Sequence, residues 1–424
     1  MQADLTMAGE EGRVETTRRE RDRKVEATVW EPTLGEEARR WQSVARRLTE
    51  EHFAPRAAAI DAAQRYPTEN VALLTEAGID RLFLPKPYGE GASLTALCTV
   101  IEAIATGCAS TSGIVATLQL GASPLIFAGT ESQKAAFLTH GDGRLKSVSF
   151  ALSERDAGSD PAAMTMAATR EGAGWRLRGE KCWIGGGGVA DSYVVFAQTE
   201  PGSGHRGIAA FLVHAGQPGV AAPEVEDKMG MRGTVNARLV MDTVVEEDAV
   251  LARPGDAFAL ALAALKVGRI SVAAQSCGIA TAAFRAAARH AATRTTFGRP
   301  IIDHQGVGFQ LADLAARLSA GRMMAYAAAA AFDAGEDVTV IGAQAKLFCS
   351  EMAHEAVDVG VQVFGGAGFV KPNLVERLYR DQRATEIYEG TSEIQRLVIA
   401  RAIKAEHAPR PEAEAPPSGM MAAQ

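Results

Sequence analysis

The chain has 424 residues, 47% of them apolar, enough for two or three packed units around real cores. A formal charge of −7 excludes the concentrated basic surface that nucleic-acid binding calls for. Five scattered cysteines without a CxxC pair read as reduced, mostly buried thiols, and eight histidines without HExxH or another ligand spacing exclude a metal centre.

Residues 1–33 are polar and mixed in charge, and read as an extension. Within them Glu10, Glu11, Glu15, Glu20 and Asp22 fit neither a signal peptide nor an acid-poor transit peptide, so the cytoplasm is the expected location. Residues 34–146 carry a helical period. Trp41, Val44, Ala45 and Leu48 share one helix face; Val71, Leu74 and Ala77 mark a second helix ended by Gly78. The small-residue stretch 94–120 predicts a buried helix pair broken near Gly107.

From 147 to 252 the period shortens. SVSFAL (147–152), WRLRGE (175–180), SYVVFAQ (192–198), IAAFLV (208–213) and ARLVMD (237–242) predict strands separated by glycine-rich turns, hence an antiparallel, barrel-like β domain. From 253 to 405 long helices return over Phe258–Thr293, Gln305–Asp333 and Val340–Val363. Their small residues suit close packing in a four-helix bundle that carries an oligomer interface. The tail 406–424, rich in Pro, Ala and Glu, reads as disordered. No apolar run approaches the roughly 18 to 20 residues of a membrane span without a charge or glycine break. The predicted fold class is α+β, in the order α, β, α.

Four segments carry candidate chemistry. FALSERDAGSD (Phe150–Asp160) ends a strand and opens a loop, where backbone amides and small side chains can meet the edge of a flat heterocycle. Alone it also reads as a polar hairpin loop. KCWIGGGGVADSYVVFA (181–197) puts Trp183 on a strand that breaks into glycines, which suits an indole wall against a ring. Taken alone, Trp183 reads better as a packed core aromatic. The glycines 185–188 lack the GxGxxG spacing of a phosphate loop. RTTFGRPIIDHQ (Arg294–Gln305) offers a guanidinium beside a hydroxyl and a ring, a set for a pyrophosphate and a stacking contact. Its companion QVFGGAGF (Gln362–Phe369) lets backbone amides approach the same group. In RDQRATEIYEGTSEIQRLVIAR (Arg380–Arg401), Glu389 stands between an aromatic residue and a glycine, just before an N-cap-like Thr391. Partial desolvation there makes a carboxylate a better base; the plainer reading is an acid stabilising a helix dipole.

In this order the four segments resemble the acyl-CoA dehydrogenase family, from about residue 38 to residue 404. The resemblance implies an FAD-dependent enzyme that removes a hydrogen pair from the α and β carbons of an acyl thioester, carried on CoA or an acyl-carrier protein. It implies Glu389 as the base, with hydride transfer to flavin N5. The backbone N–H of Glu389 and a ribityl hydroxyl would hold the thioester carbonyl. The implied cofactor residues are Phe150, Ala151, Leu152, Ser153, Ser159, Trp183, Ile184, Gly185, Arg294, Thr296, Phe297, Ile301, His304, Gln305, Gln362, Gly365, Gly366, Thr391 and Glu393. The implied substrate residues are Ser159, Lys266, Arg269, Gly390 and Arg401. The Arg294 loop would reach the cofactor of a neighbouring subunit in a homotetramer or homodimer, and electron-transferring flavoprotein would be the acceptor.

The chain departs from the family pattern at five places. Ser153 stands for Thr, and Arg155-Asp156 stands where Pro and a small residue are common. Gly185 replaces a Thr or Ser whose hydroxyl bonds flavin N5, Thr296 replaces a Gln, and Lys266 replaces the acid of Asp-x-x-Arg. Gly185 leaves open a flavin oxidase or monooxygenase acting on a nitroalkane or amine. Lys266 reads either as a solvated helix lysine or as a changed carrier preference. A third reading is a non-catalytic flavin-binding scaffold.

Overall fold

The computed structural model describes residues 28–140 and 145–408. The expected extension lies outside the described residues up to position 27, and the expected tail from position 409.

The first helices follow the apolar stripe. Helix α1 (Glu36–Leu48) buries Ala38, Trp41, Ala45 and Leu48, with Glu36 and Glu37 in its first turn and Arg46 and Arg47 in its last, as the helix dipole favours. Helices α2 (Ala54–Ala63) and α3 (Thr68–Glu76) follow. The expected pair is α4 (Leu94–Ala105) and α5 (Ala109–Ala128). They part at Gly107, where a Cβ would stand 2.5 Å from Thr49 Cγ2. Helix α6 (Glu131–Leu138) starts on a capping box formed by Thr130 and Gln133.

The middle region is one eight-stranded sheet. Its strands are β1 (Val148–Ala151), β2 (Ala167–Glu171), β3 (Gly174–Gly185), β4 (Ser192–Gln198), β5 (Ile208–His214), β6 (Val220–Val225), β7 (Asn236–Val245) and β8 (Val250–Ala252). The order is β6-β7-β3-β2-β4-β5-β8, with β1 also on β4. Most pairs are antiparallel, as expected, but β1 and β2 each run parallel to β4. Strand β1 pairs as far as Ala151 with Val195, and β2 meets the same strand where Ala167 faces Gln198. Residues 152–166 thus leave one strand edge and rejoin it.

The C-terminal region holds α7 (Ala257–Thr293), a two-stranded hairpin of β9 (Thr295–Thr296) and β10 (Arg299–Pro300), and the helices α8 (Gln305–Asp333) and α9 (Thr339–Phe364). Then come α10 (Gly366–Phe369), α11 (Leu374–Gln382) and α12 (Ser392–His407). One apolar cluster joins the first helices to these, with Trp41, Ile101, Ile270, Leu318 and Met352 all in it. Arg322 and Tyr326 of α8 both donate at 2.7 Å to the buried Glu102 of α4, so the two helical regions share polar as well as apolar contacts. Helices α5 and α7 are each long and apolar enough to cross a membrane by length and composition, although α5 carries Gly113 and Gly121 and α7 carries Lys266, Gly268 and Arg269, the breaks the sequence showed. Both are mostly buried inside the protein, as core helices are.

Candidate active site

Glu389 sits on a turn between α11 and α12. Its backbone is left-handed (φ 57°), as is that of Gly390 (φ 89°), a conformation that non-glycine residues hold only where neighbours enforce it. Two side chains do so. Gln395 Nε2 donates to the carbonyls of Glu389 (3.2 Å) and Gly390 (2.8 Å), and Lys346 Nζ, from α9, donates to the Gly390 carbonyl (2.9 Å). The turn aims the Glu389 carboxyl at α7. Its Oε2 is buried without a hydrogen-bond partner, and lies so close to Gly268 that a Cβ there would come within 2.5 Å of it. The next residue, Arg269, is also buried, and its Nε is unpartnered. The Oε1 of Gln395 is a third such atom. Buried polar atoms are rarely left unpaired, so three at one place point to a ligand that completes them.

Burial pushes the Glu389 carboxyl up to about 7, against the pull of Arg269 and Lys346. Burial likewise pushes Lys346 down to about 8, against the pull of Glu389. A base tuned to that range is matched to proton abstraction near neutral pH. The residue as a whole is partly exposed although Oε2 is buried. The helix-dipole reading of Glu389 fits poorly. The cap of α12 is Thr391, whose side chain accepts from Ile394 N, and the acid of its first turn is Glu393. Beside Glu389, the Tyr388 hydroxyl donates to Gln275 Oε1 of α7. Gln275 Nε2 in turn donates to Ala109 O (3.1 Å) and Ser112 Oγ (2.8 Å) at the start of α5.

Trp183 lies at a register shift in β3, between Lys181 and Ile184, with a left-handed backbone (φ 59°). The bulge turns the indole outward, and it is 49% exposed. This corrects the reading of Trp183 as a packed core aromatic; the core position is taken by Lys181. That lysine has no exposure and donates to Leu152 O (2.9 Å) and Glu154 Oε1 (2.8 Å). Glu154 also accepts from Thr165 N (2.6 Å) and Met166 N (3.0 Å), so one buried ion pair closes the 152–166 loop on itself. Cys182 N donates to Ser153 O (2.9 Å) and fixes the loop against β3. Ala151 and Ile184 point into the β core and Leu152 is buried, so their side chains are spent on packing. Phe150 tilts against Phe196 (5.1 Å); Ser153 is half-buried and Ser159 exposed. Beside Gly185, the place where a side chain would grow is bordered by Thr117 of α5. A Cβ would stand 3.2 Å from its Cγ2 and 3.3 Å from its Oγ1.

The candidates of the Arg294–Gln305 loop and of its companion Gln362–Phe369 lie elsewhere. Arg294, Phe297, Gln305, Gln362, Gly365 and Gly366 are exposed, Phe297 to 96%. His304 lies 3.3 Å from Thr296 Oγ1, and Ile301 is buried beside Val363, which holds the hairpin against the end of α9. Along α7, Arg294 is roughly 37 Å from Arg269, and along α9 Gln362 is roughly 24 Å from Lys346, at 1.5 Å per residue. The chain therefore does not bring this group to its own Glu389. Lys266 is not a free solvated lysine: it pairs with Asp337 (2.8 Å), which also accepts from Thr339 at the start of α9. Thr391 and Gly390 are half-buried at the turn, Glu393 is exposed on α12, and Arg401 is exposed roughly 15 Å farther along that helix.

Sequence reasoning passed over Lys346, Gln275, Gln395, Thr117 and the Lys181–Glu154 pair. One signal was available: Lys346 is the lone cation in VIGAQAKLFCS (340–350), an otherwise apolar and small-residue helix stretch.

Comparison with known proteins matches this arrangement along its length. The family descriptions "Acyl-CoA dehydrogenase, N-terminal domain", "middle domain" and "C-terminal domain" match residues 35–140, 149–244 and 255–404. A probable acyl-CoA dehydrogenase of Mycobacterium leprae is 40% identical over 373 residues, 87% of this chain and 96% of that protein. The structure of butyryl-CoA dehydrogenase from Megasphaera elsdenii superposes with a TM-score of 0.84 at 33% identity, over 88% of this chain and 100% of that one. A glutaryl-CoA dehydrogenase from Mycobacterium smegmatis in complex with FADH2 superposes with a TM-score of 0.82 at 25% identity, over 89% and 97%. The chain belongs to the acyl-CoA dehydrogenase family, flavin oxidoreductases that act on CH–CH groups.

Proposed function

We propose that this protein carries out FAD-dependent α,β-dehydrogenation of an acyl thioester, with Glu389 as the base. The observation that carries the reading is the buried, unpartnered Oε2 of Glu389, held on a strained turn beside the unpartnered Nε of Arg269. The α C–H of a thioester is a weak acid, so its removal needs a placed base and a stabilised carbonyl oxygen. Glu389 is placed by Gln395 and Lys346, and its carboxyl is tuned to accept a proton near neutrality. The Glu389 backbone N–H makes no backbone hydrogen bond among the described residues, so it is free to donate to a thioester oxygen.

The residues present fit FAD. The outward indole of Trp183 offers a wall for a ring, and the small residues 185–188 admit close approach. The loop from Phe150 to Ser153, locked by Lys181 and Glu154, offers a fixed edge. Bound there, FAD supplies the two-electron acceptor for the hydrogen leaving the β carbon. Arg294, Phe297, Gln362, Gly365 and Gly366, too far along α7 and α9 to serve their own chain's Glu389, suit the diphosphate end of a cofactor held mainly by a second subunit of a homodimer or homotetramer. The acyl carrier is CoA or an acyl-carrier protein, and electron-transferring flavoprotein is the acceptor.

The test is anaerobic bleaching of the bound flavin across a panel of acyl-CoA and acyl-carrier thioesters. At least one thioester bleaches the wild type. Glu389→Gln stays yellow and folded but bleaches about 10³-fold more slowly, within the range for loss of a positioned base. Undiminished bleaching by that variant removes Glu389 from the role. Oxygen consumption with a nitroalkane or amine, and no bleaching by any thioester, replaces the dehydrogenase reading with the oxidase one.

A further inference from the structure

A buried ammonium costs several kcal/mol unless something at its site repays it. Lys346 is buried with no exposure on α9, a helix that contributes Ala345, Cys349 and Met352 to the apolar core. A leucine or methionine would pack there without that cost. Its Nζ makes one hydrogen bond, to the Gly390 carbonyl at 2.9 Å. That carbonyl belongs to the two-residue left-handed turn that carries Glu389. We propose that Lys346 is a positioning residue for the base: its ammonium clamps the Glu389–Gly390 turn through the Gly390 carbonyl and holds a positive charge beside the Glu389 carboxyl.

The inference rests on Glu389 being the base. Gln395 also holds the turn, but it is neutral, so only the lysine supplies both a clamp and a charge. The charged and titratable groups around the pair are few. Arg269 of α7 acts on the Glu389 carboxyl together with Lys346. Glu389, Glu386 and Glu393 act on Lys346 in the favourable sense, and Arg269 against it. Tyr388, next to the base, is neutral, because burial pushes its hydroxyl far up.

The experiment uses the FAD-loaded protein and the thioester of the panel that bleaches it fastest. The pH profile of bleaching is recorded for Lys346→Gln, which keeps a donor but loses the charge, and for Lys346→Met, which loses both. Circular dichroism and melting temperature check folding. The wild-type rate rises with pH through the ionisation of the base. In Lys346→Gln that rise moves about one pH unit upward, because a neighbouring cation no longer favours the carboxylate. The plateau above it stays within about threefold. In Lys346→Met the rise moves as far and the plateau falls about tenfold or more, as a misplaced base requires. An unmoved rise in both folded variants overturns the proposal. So does failure of both to fold, which would make the lysine a structural residue only. Glu389→Gln separates this from the reading beneath it: if it keeps the wild-type rate and pH rise, the base is elsewhere, whereas an unmoved rise in the lysine variants beside an inactive Glu389→Gln sinks Lys346 alone.

Discussion

The Glu389 corner and the Arg294–Phe297 end of the same bundle are built on opposite terms. At the corner, four elements converge: Gly268 and Arg269 from α7, Lys346 from α9, the left-handed turn, and Gln395 from α12. Polar atoms there are buried and three lack partners, Glu389 Oε2, Arg269 Nε and Gln395 Oε1. At the far end the same helices α7 and α9 finish in loops whose arginine, phenylalanine and glycines face outward. The first region is shaped by its own chain before any ligand arrives. The second presents its candidate side chains and glycines outward. Chemistry that depends on one atom's position needs the first kind of surface; holding a flexible anionic arm can be done by the second.

Four measurements would break or sharpen that contrast. The largest effect is expected from Gly268→Ala. Its methyl would stand 2.5 Å from Glu389 Oε2, so the carboxyl must move, and flavin bleaching should slow about 10²-fold in a protein that still binds FAD. Wild-type speed would mean the carboxyl does not lie where the reaction needs it. Next is pH: with Glu389 pushed up to about 7, the reactive form is the ionised one, so bleaching should fall about tenfold for each unit below that value. A rate flat between pH 5 and 8 would contradict a base tuned in this way. Arg294→Ala comes third. Loss of a charge-assisted contact to a diphosphate should weaken FAD binding about tenfold, read by equilibrium titration, while the pH rise stays put. A moved pH rise would mean the two ends are not independent. Smallest is a stability effect at the corner. The folded-state value of Glu389 lies above the unfolded one, so its contribution to stability is present at low pH and is lost as pH rises through about 7. Glu389→Gln removes that penalty. It should melt on the order of 2 °C above the wild type at pH 8 and no higher at pH 4, both loaded with FAD. Equal melting at pH 8 would mean that the ionised carboxylate is solvated in the folded protein.

Much of the scaffold was legible in the residues. The long helices appear within a residue or two of the apolar runs that announced them, because a buried helix must repeat its apolar side chains every three to four positions. Five strands of the large sheet were found the same way; its β2, β6 and β8 were not, nor was the β9–β10 hairpin. Strand β6 is mostly exposed and contains Pro223, so it lacks the alternation that marks a half-buried strand. The parallel placement of β1 and β2 on β4 leaves no local trace, since pairing direction is set by where the chain returns. Glu389 was legible from its string Tyr-Glu-Gly-Thr, whereas Gln275 and Lys346 were not: their partners lie 113 and 44 positions away.

The sequence alone determined the order of helical and sheet regions, the length of the bundle helices and the identity of the one carboxylate worth testing, because each is written in local periodicity or in a contiguous motif. Tertiary structure decided that Trp183 faces outward, that Lys181 and not the indole is buried, and that Lys346 reaches the turn of Glu389. Those outcomes depend on a bulge and on contacts between distant helices. Burial and charge at a site are properties of what packs around it, and no single stretch of chain contains its own surroundings.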